Sequence, residues 1–221
     1  METIITTQQG AVQGALSQDQ QTVIFRGVPY AQPPVGALRF RRPQEHAPWE
    51  GVRDCTAFGP RCPQADLASM DFYGKEFYRG LPDDESEDCL YLNIWTPANA
   101  AGEHLPVHFW IHGGGFQGGL GDEPLYQGVS LVEQGEILVT INYRLGALGF
   151  LAHPALTEED EAGACGNYGL LDQIAALRWV KKNIRAFGGD PNRITINGQS
   201  AGAMSVASLL ASPLTNGLYS A

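Results

Sequence analysis

Three apolar runs in the middle of the chain differ in rhythm, and the rhythm assigns them. Cys89-Leu90-Tyr91-Leu92-Asn93-Ile94-Trp95 alternates with period two, which predicts a strand with two different faces. Val107-His108-Phe109-Trp110-Ile111 reads as a strand that runs directly into a cluster of glycines. Ile137-Leu138-Val139-Thr140-Ile141 is apolar and rich in β-branched residues, the pattern of a strand buried on both sides. The period then changes. Leu170, Ile174, Leu177, Val180, Ile184 and Phe187 recur every three or four residues and predict a helix. Gly188-Gly189 stops it and Asp190-Pro191 turns the chain. Arg193-Ile194-Thr195-Ile196 reads as a short strand, and a helical, small-residue pattern runs from Ala201 to Ala211. Ahead of these elements, residues 3–30 look like short strands broken by Gly10, Gly14 and Gly27, ending in the turn-like Pro29-Tyr30-Ala31-Gln32-Pro33-Pro34. Strands alternating with helices, with no repeat or linker between them, predict an α/β domain whose mostly parallel sheet carries helices on both faces.

Composition and charge then remove whole classes of function. The 221 residues hold 14 Lys+Arg against 24 Asp+Glu, a net charge of −10, with 43% hydrophobic and 17% charged residues. That balance is globular and ample for a core. Between Gly80 and Tyr143 there is no Lys or Arg but ten acids, five of them in the run from Asp83 to Asp88. Such a field repels phosphate backbones, so nucleic acid is not expected as a partner. The acidic run is read as a solvated loop, not a cation site. No apolar stretch approaches the ~18–20 residues that span a bilayer. Met1 to Gly10 lacks the basic and apolar regions of a signal peptide, so no membrane partner and a cytoplasmic location are expected. Four cysteines (Cys55, Cys62, Cys89 and Cys165) allow three fully paired connectivities, and none sits at zinc-ligand spacing. Reduced thiols are expected, and neither a metal nor a cofactor.

Two glycine motifs carry the chemistry. Gly198-Gln199-Ser200-Ala201-Gly202 lies between the strand 193–196 and the helix from 201. A strand–turn–helix junction of this kind forces its central residue into a strained, exposed conformation, and glycines on either side relieve the crowding. It lifts a serine oxygen to a helix N-terminus, where amide N–H groups favour developing negative charge. The bland alternative is that Ser200 only caps the helix. The second motif, His112-Gly113-Gly114-Gly115-Phe116, follows the strand 107–111. Successive glycines let backbone N–H groups approach a tetrahedral oxygen closely, as an oxyanion hole requires. His112 is read as an orienting loop residue and not as the base. Gly113, Gly115 and Gly118 also satisfy G-x-G-x-x-G after a strand, a dinucleotide fingerprint on paper. The continuation Gly119-Leu120-Gly121-Asp122-Glu123-Pro124 argues against it, because no helix can open there and the acids would face a pyrophosphate.

Further blocks make the chain resemble a known family. They include Gly27-Val28-Pro29-Tyr30-Ala31, Leu38-Arg39-Phe40, Ser86-Glu87-Asp88-Cys89-Leu90-Tyr91-Leu92-Asn93 and Gly166-Asn167-Tyr168-Gly169-Leu170-Leu171-Asp172-Gln173. Phe187-Gly188-Gly189-Asp190-Pro191 then leads to Ser200. In this order the blocks resemble the type-B carboxylesterases of the α/β-hydrolase fold, the group that includes the cholinesterases, and within it the bacterial para-nitrobenzyl esterase-like branch. The resemblance implies that Ser200 is the acylated nucleophile and that the N–H groups of Gly114, Gly115 and Ala201 form the oxyanion hole. It implies a buried Arg39–Glu87 ion pair and, from the family's secreted members, a loop closed by Cys62 and Cys89. It implies a small-molecule carboxylic ester as substrate.

There are departures. Gln199 stands where many relatives have Glu, and no tryptophan lies between Cys62 and Cys89 to offer an aromatic face to a quaternary ammonium, although Phe72, Tyr73, Phe77 and Tyr78 are present. Choline esters are therefore not expected. Family members are more than twice this long, and their triad runs serine, acid, histidine. The resemblance thus implies that residues 1–221 are the N-terminal part of one domain, partnered by a C-terminal half that carries the acid and the histidine. A chain ending at Ala221 is expected to expose the edge of Arg193 to Asn197, to fold poorly and to lack esterase activity. The rival readings are a non-catalytic relative, disfavoured by the intact Ser200, and a nucleotide-binding module.

Overall fold

A computed structural model describes residues 3–65, 72–77, 84–97 and 102–221. Its strands are β1 (Ile4–Thr6), β2 (Ala11–Gln13), β3 (Ala15–Leu16), β4 (Thr22–Pro29), β5 (Val52–Asp54), β6 (Tyr91–Pro97), β7 (Leu105–Ile111), β8 (Ile137–Ile141) and β9 (Gly189–Gly198). Its helices are α1 (Phe72–Phe77), α2 (Val129–Val132), α3 (Gly146–Phe150), α4 (Pro154–Glu159), α5 (Tyr168–Asn183) and α6 (Ala201–Ala211). A small sheet in the order β1-β2-β5 flanks a six-stranded sheet in the order β3-β4-β6-β8-β7-β9.

The large sheet is mixed. Its β8, β7 and β9 run parallel, as the alternation of strands and helices predicts, whereas β3, β4, β6 and β8 pair antiparallel. β3 and β4 are joined by five residues, too few for a crossover, so they pair antiparallel. β4 and β6, and β6 and β8, pair antiparallel although other elements lie between them in the chain. Neighbouring residues of single strands separate into two clusters. Ile24, Trp95 and Leu138 meet Val132 of α2, while Phe25, Ile94 and Val139 join Ile174, Leu177 and Val180 of α5 and Leu209 of α6. Helices therefore cover both faces.

Local deviations have identifiable causes. The strand predicted to have two different faces is buried on both from Leu92 to Pro97. Its polar positions are bonded, not solvated: Asn93 accepts from Gly27 N–H at 2.9 Å and donates to Thr140 Oγ1 at 3.1 Å, and Thr96 donates to the Phe187 carbonyl at 2.8 Å. Buried polar groups persist where partners satisfy them. The helix starting near 170 ends as α5 at Asn183 and tightens into a 3-10 turn, Ile184–Phe187, closed by Gly188 at φ 87°. The edge of β9 is not bare. Ser220 N–H donates to the Ile194 carbonyl and Ile196 N–H to the Ala221 carbonyl, both at 2.8 Å.

The topology places the site. The chain passes from β7 to β8 on one side and returns to β9 on the other, so strand order reverses at β7. Crevices at such a switch point, beyond the C-terminal ends of parallel strands, are where open α/β sheets bind ligands. Ile111, the last residue of β7, pairs with Gly198, the last of β9, so the two glycine motifs leave the sheet side by side.

Candidate active site

Ser200 sits between β9 and α6 at φ 54°, ψ −120°, a backbone conformation that L residues rarely hold. Its neighbours explain how it persists. A Cβ on Gly198 would run into the carbonyl of Gly202 and lie 3.0 Å from Ala203 N, and one on Gly202 would strike the Ile111 carbonyl oxygen. Glycine at both positions lets the start of α6 press against the strand ends. Gln199 carbonyl accepts from Gly202 N–H at 2.8 Å and Ser200 carbonyl from Met204 N–H at 3.1 Å, which fixes the turn. The Ser200 side chain makes no capping bond and is exposed, so the cap-only reading fails.

The glycine loop lies against this turn. A Cβ on Gly113 would collide with Gln199 and come within 3.2 Å of Ser200 Cβ. Gly114 carbonyl accepts from the N–H groups of both Gln117 and Gly118 at 3.0 Å, curling the loop, and Phe116 carbonyl accepts from Gly146 N–H at 2.7 Å. Among the described residues, the N–H groups of Gly114, Gly115 and Ala201 have no intramolecular acceptor. The dinucleotide reading of Gly113, Gly115 and Gly118 fails on geometry. The loop continues as turns through Gly121 and opens no helix, so it lacks the helix N-terminus that would face a pyrophosphate.

His112 is buried, stacks on Tyr143 with ring centroids 4.4 Å apart, and places Nδ1 2.9 Å from the Gly113 carbonyl. Burial lowers its pKa to about 4, so the ring is neutral at pH 7. None of the five histidines is hydrogen-bonded to Ser200 among the described residues. His108, for example, faces Glu136 at 2.9 Å and Asn197 at 3.1 Å.

The expected structural pairs fare differently. Arg39 and Glu87 form a two-pronged pair, 2.6 and 2.8 Å, but the side chains keep 46% and 28% of their exposure, so this is not the buried pair expected. Among the described residues the buried pair is Arg144–Asp172, at 2% and 0% exposure. Both carboxylate oxygens accept from the guanidinium at 2.8 Å, and one also accepts the Arg144 N–H at 3.1 Å. Burial pushes the Asp172 carboxyl up while Arg144 pulls it back. Sequence reasoning missed this pair, although Asp172 stands within a block the resemblance used. Cys62 and Cys89 are both buried thiols that are not joined in a disulfide. The neighbouring Cys62 sulfur and burial hold the Cys89 thiol well above its usual range. Of the acidic run, Glu85 pairs with Arg61 at 3.0 Å and Glu87 with Arg39. Asp83 lies outside the described residues, as do Tyr78 and the side chains of Tyr73 and Phe77, while Phe72 is exposed.

Residues 1–221 match the carboxylesterase family. A para-nitrobenzyl esterase of Bacillus subtilis (strain 168) is 50% identical over 218 residues, covering 98% of this chain and 42% of that protein. A fumonisin B1 esterase of Sphingopyxis macrogoltabida is 49% identical over 215 residues, covering 96% and 37%. A solved PNB esterase structure superposes with a TM-score of 0.88 at 45% identity, over 99% of this chain and 43% of that one. The carboxylesterase of Geobacillus stearothermophilus gives 0.85 at 44%, over 99% and 42%. The chain thus spans about two fifths of the length of these curated relatives.

Proposed function

The chain belongs to the carboxylesterase family, and we propose that it supplies the nucleophile and the oxyanion hole for hydrolysis of small-molecule carboxylic esters. The observation that carries this reading is the strained, exposed, uncapped Ser200 held against Gly113. Backbone strain of this kind is retained where a side chain must be presented to a reactant.

In this reading Ser200 Oγ attacks the ester carbonyl carbon, and the carbonyl oxygen becomes an oxyanion cradled by the N–H groups of Gly114, Gly115 and Ala201. Donors aimed at such an oxygen are each worth roughly 10²–10³ in kcat. The bond to the alcohol then breaks, the alcohol leaves with a proton, and the acyl group stays on Ser200 until water displaces it. The base that takes the Ser200 proton, and the carboxylate that orients it, are assigned to residues outside these 221. The neutral amide at Gln199 puts no negative charge beside the nucleophile, which favours uncharged esters over cationic ones.

The test is active-site titration of the full-length protein with a fluorophosphonate and turnover of p-nitrophenyl butyrate. Labelling should map to Ser200, and Ser200→Ala should abolish labelling and turnover together. Turnover near the parent rate in folded Ser200→Ala would sink the assignment.

A further inference from the structure

A side chain from a segment distant in sequence reaches the far end of the glycine loop. The Gln64 side chain pairs with both backbone groups of Gly119: Oε1 accepts the Gly119 N–H at 2.8 Å and Nε2 donates to the Gly119 carbonyl at 3.1 Å. The same Nε2 donates to the Cys62 carbonyl at 3.0 Å, and Cys62 Sγ accepts from Leu145 N–H at 3.2 Å. Gln64 is therefore itself held in place, with its carboxamide oxygen and nitrogen both used. Gly119, at φ 106°, packs so tightly that a Cβ there would strike His112 Nδ1 and lie 2.6 Å from the Gly113 carbonyl. Gly118, its neighbour, donates to Gly114. The two ends of the loop, 112–114 and 118–119, are thus pressed together, and Gln64 fixes the second end from outside.

From these contacts we infer that Gln64 is a positioning residue for the reaction proposed above: by clamping Gly119 it sets where the N–H groups of Gly114 and Gly115 point. The inference rests on the oxyanion role given to that loop. Glycines at 113, 114 and 115 give the loop the freedom to place its amides, and the same freedom means that another group must choose one placement. Misplacement of donors by about 1 Å costs on the order of 10²-fold in rate. The effect falls on the transition state, because the donors are needed where charge develops and not in the ground state.

The experiment compares the full-length parent with Gln64→Ala and Gln64→Glu. The glutamate is nearly isosteric and keeps an acceptor for Gly119 N–H, but its carboxylate cannot donate to the Gly119 and Cys62 carbonyls. Both variants should lose roughly 10-fold or more in kcat on p-nitrophenyl butyrate with KM within about twofold. Affinity for a trifluoromethyl ketone, whose adduct with serine carries an oxyanion, should fall by the same factor as kcat. A folded variant with parental kcat and parental ketone affinity overturns the inference. So does a loss that falls equally on kcat, KM and binding of a carboxylate product, and so does insolubility of both variants, since either outcome makes Gln64 a folding residue. Ser200→Ala run alongside separates the two levels. If it remains active, the nucleophile is wrong; if turnover depends on Ser200 and ignores Gln64, only the clamp is wrong.

Discussion

Replacing Ser200 by glycine should make the protein more stable while removing its activity. The Ser200 backbone is held at φ 54°, ψ −120°. A non-glycine residue held in so sparse a region costs about 1–3 kcal/mol, and glycine adopts it freely. Glycine also gives the unfolded chain more freedom, which takes back about 0.5–1 kcal/mol. No capping bond is lost with the hydroxyl, because Ser200 makes none. The net gain of Ser200→Gly over Ser200→Ala, which keeps the Cβ and the strain, is therefore about 1 kcal/mol.

Urea titration resolves a difference of that size. With a slope of about 3 kcal/mol per molar, the midpoint of Ser200→Gly should lie about 0.3 M above that of Ser200→Ala. Ser200→Ala itself should melt with the parent, whereas loss of a true helix cap would cost it ~1 kcal/mol. Both variants should be inactive on p-nitrophenyl esters. A glycine variant no more stable than the alanine variant would refute the account of Ser200 as a strained position, whatever its activity.

Three other outcomes follow from the surroundings of the site. Asp172→Asn leaves the Arg144 guanidinium buried without its counter-charge and should destabilise by about 3–5 kcal/mol, whereas the double change Arg144→Met with Asp172→Leu should recover much of the loss in a urea titration. His112 has a folded-state pKa of about 4 against 6.5 ordinarily, so its contribution to stability is complete above pH 6.5 and is lost as the pH falls toward 4, by up to ~3 kcal/mol; subtracting the pH profile of His112→Asn from that of the parent isolates this slope, and identical profiles would show that the ring is not buried neutral. Among the thiols, Cys55 is pushed up to about 12 by burial and Cys89 is also raised, while Cys165 is half-buried beside Thr157, so a maleimide should label Cys165 first in native protein. Air oxidation should then join Cys62 to Cys89, closing a loop worth on the order of 3 kcal/mol, and a peptide map linking Cys55 to Cys165 instead would show that the neighbourhood has been misread.

What was legible in the sequence and what was not divides along a physical line. Strand and helix patterns could be read because burial acts on each residue locally, and continuous burial at Ile137 to Ile141 leaves the same trace in sequence and structure. Pairing direction could not, because β6 lies between β4 and β8, neither of them its direct neighbour in the chain, and a strand's own pattern of apolar and polar residues carries no sign of its partner's sense. The same holds for polar groups. Arg39–Glu87 and Arg144–Asp172 have the same residue chemistry, yet only the second is dry, since dryness is decided by what the tertiary fold stacks above a pair. Asn93 and Gln64 act through partners distant in sequence, Gly27 and Thr140 in one case and Gly119 in the other, which no spacing rule announces.

Glycine is the exception that crosses the line. The register Ile111↔Gly198 forces the turns after β7 and β9 to share one space, and each turn can enter it only where a side chain is missing. Gly113 therefore faces Gln199 and Ser200, Gly198 faces Gly202, and Gly202 faces the end of β7. The two motifs read as separate signals in the sequence are the two halves of one close backbone contact. That contact makes the serine and the loop interdependent: a methyl at Gly113 would strike Gln199 and crowd Ser200 Cβ at 3.2 Å, and one at Gly202 would strike the Ile111 carbonyl oxygen and push α6 away from the sheet. The geometry ascribed to the nucleophile is thus held by backbone packing rather than by side-chain hydrogen bonds, and for that reason it was visible in the sequence.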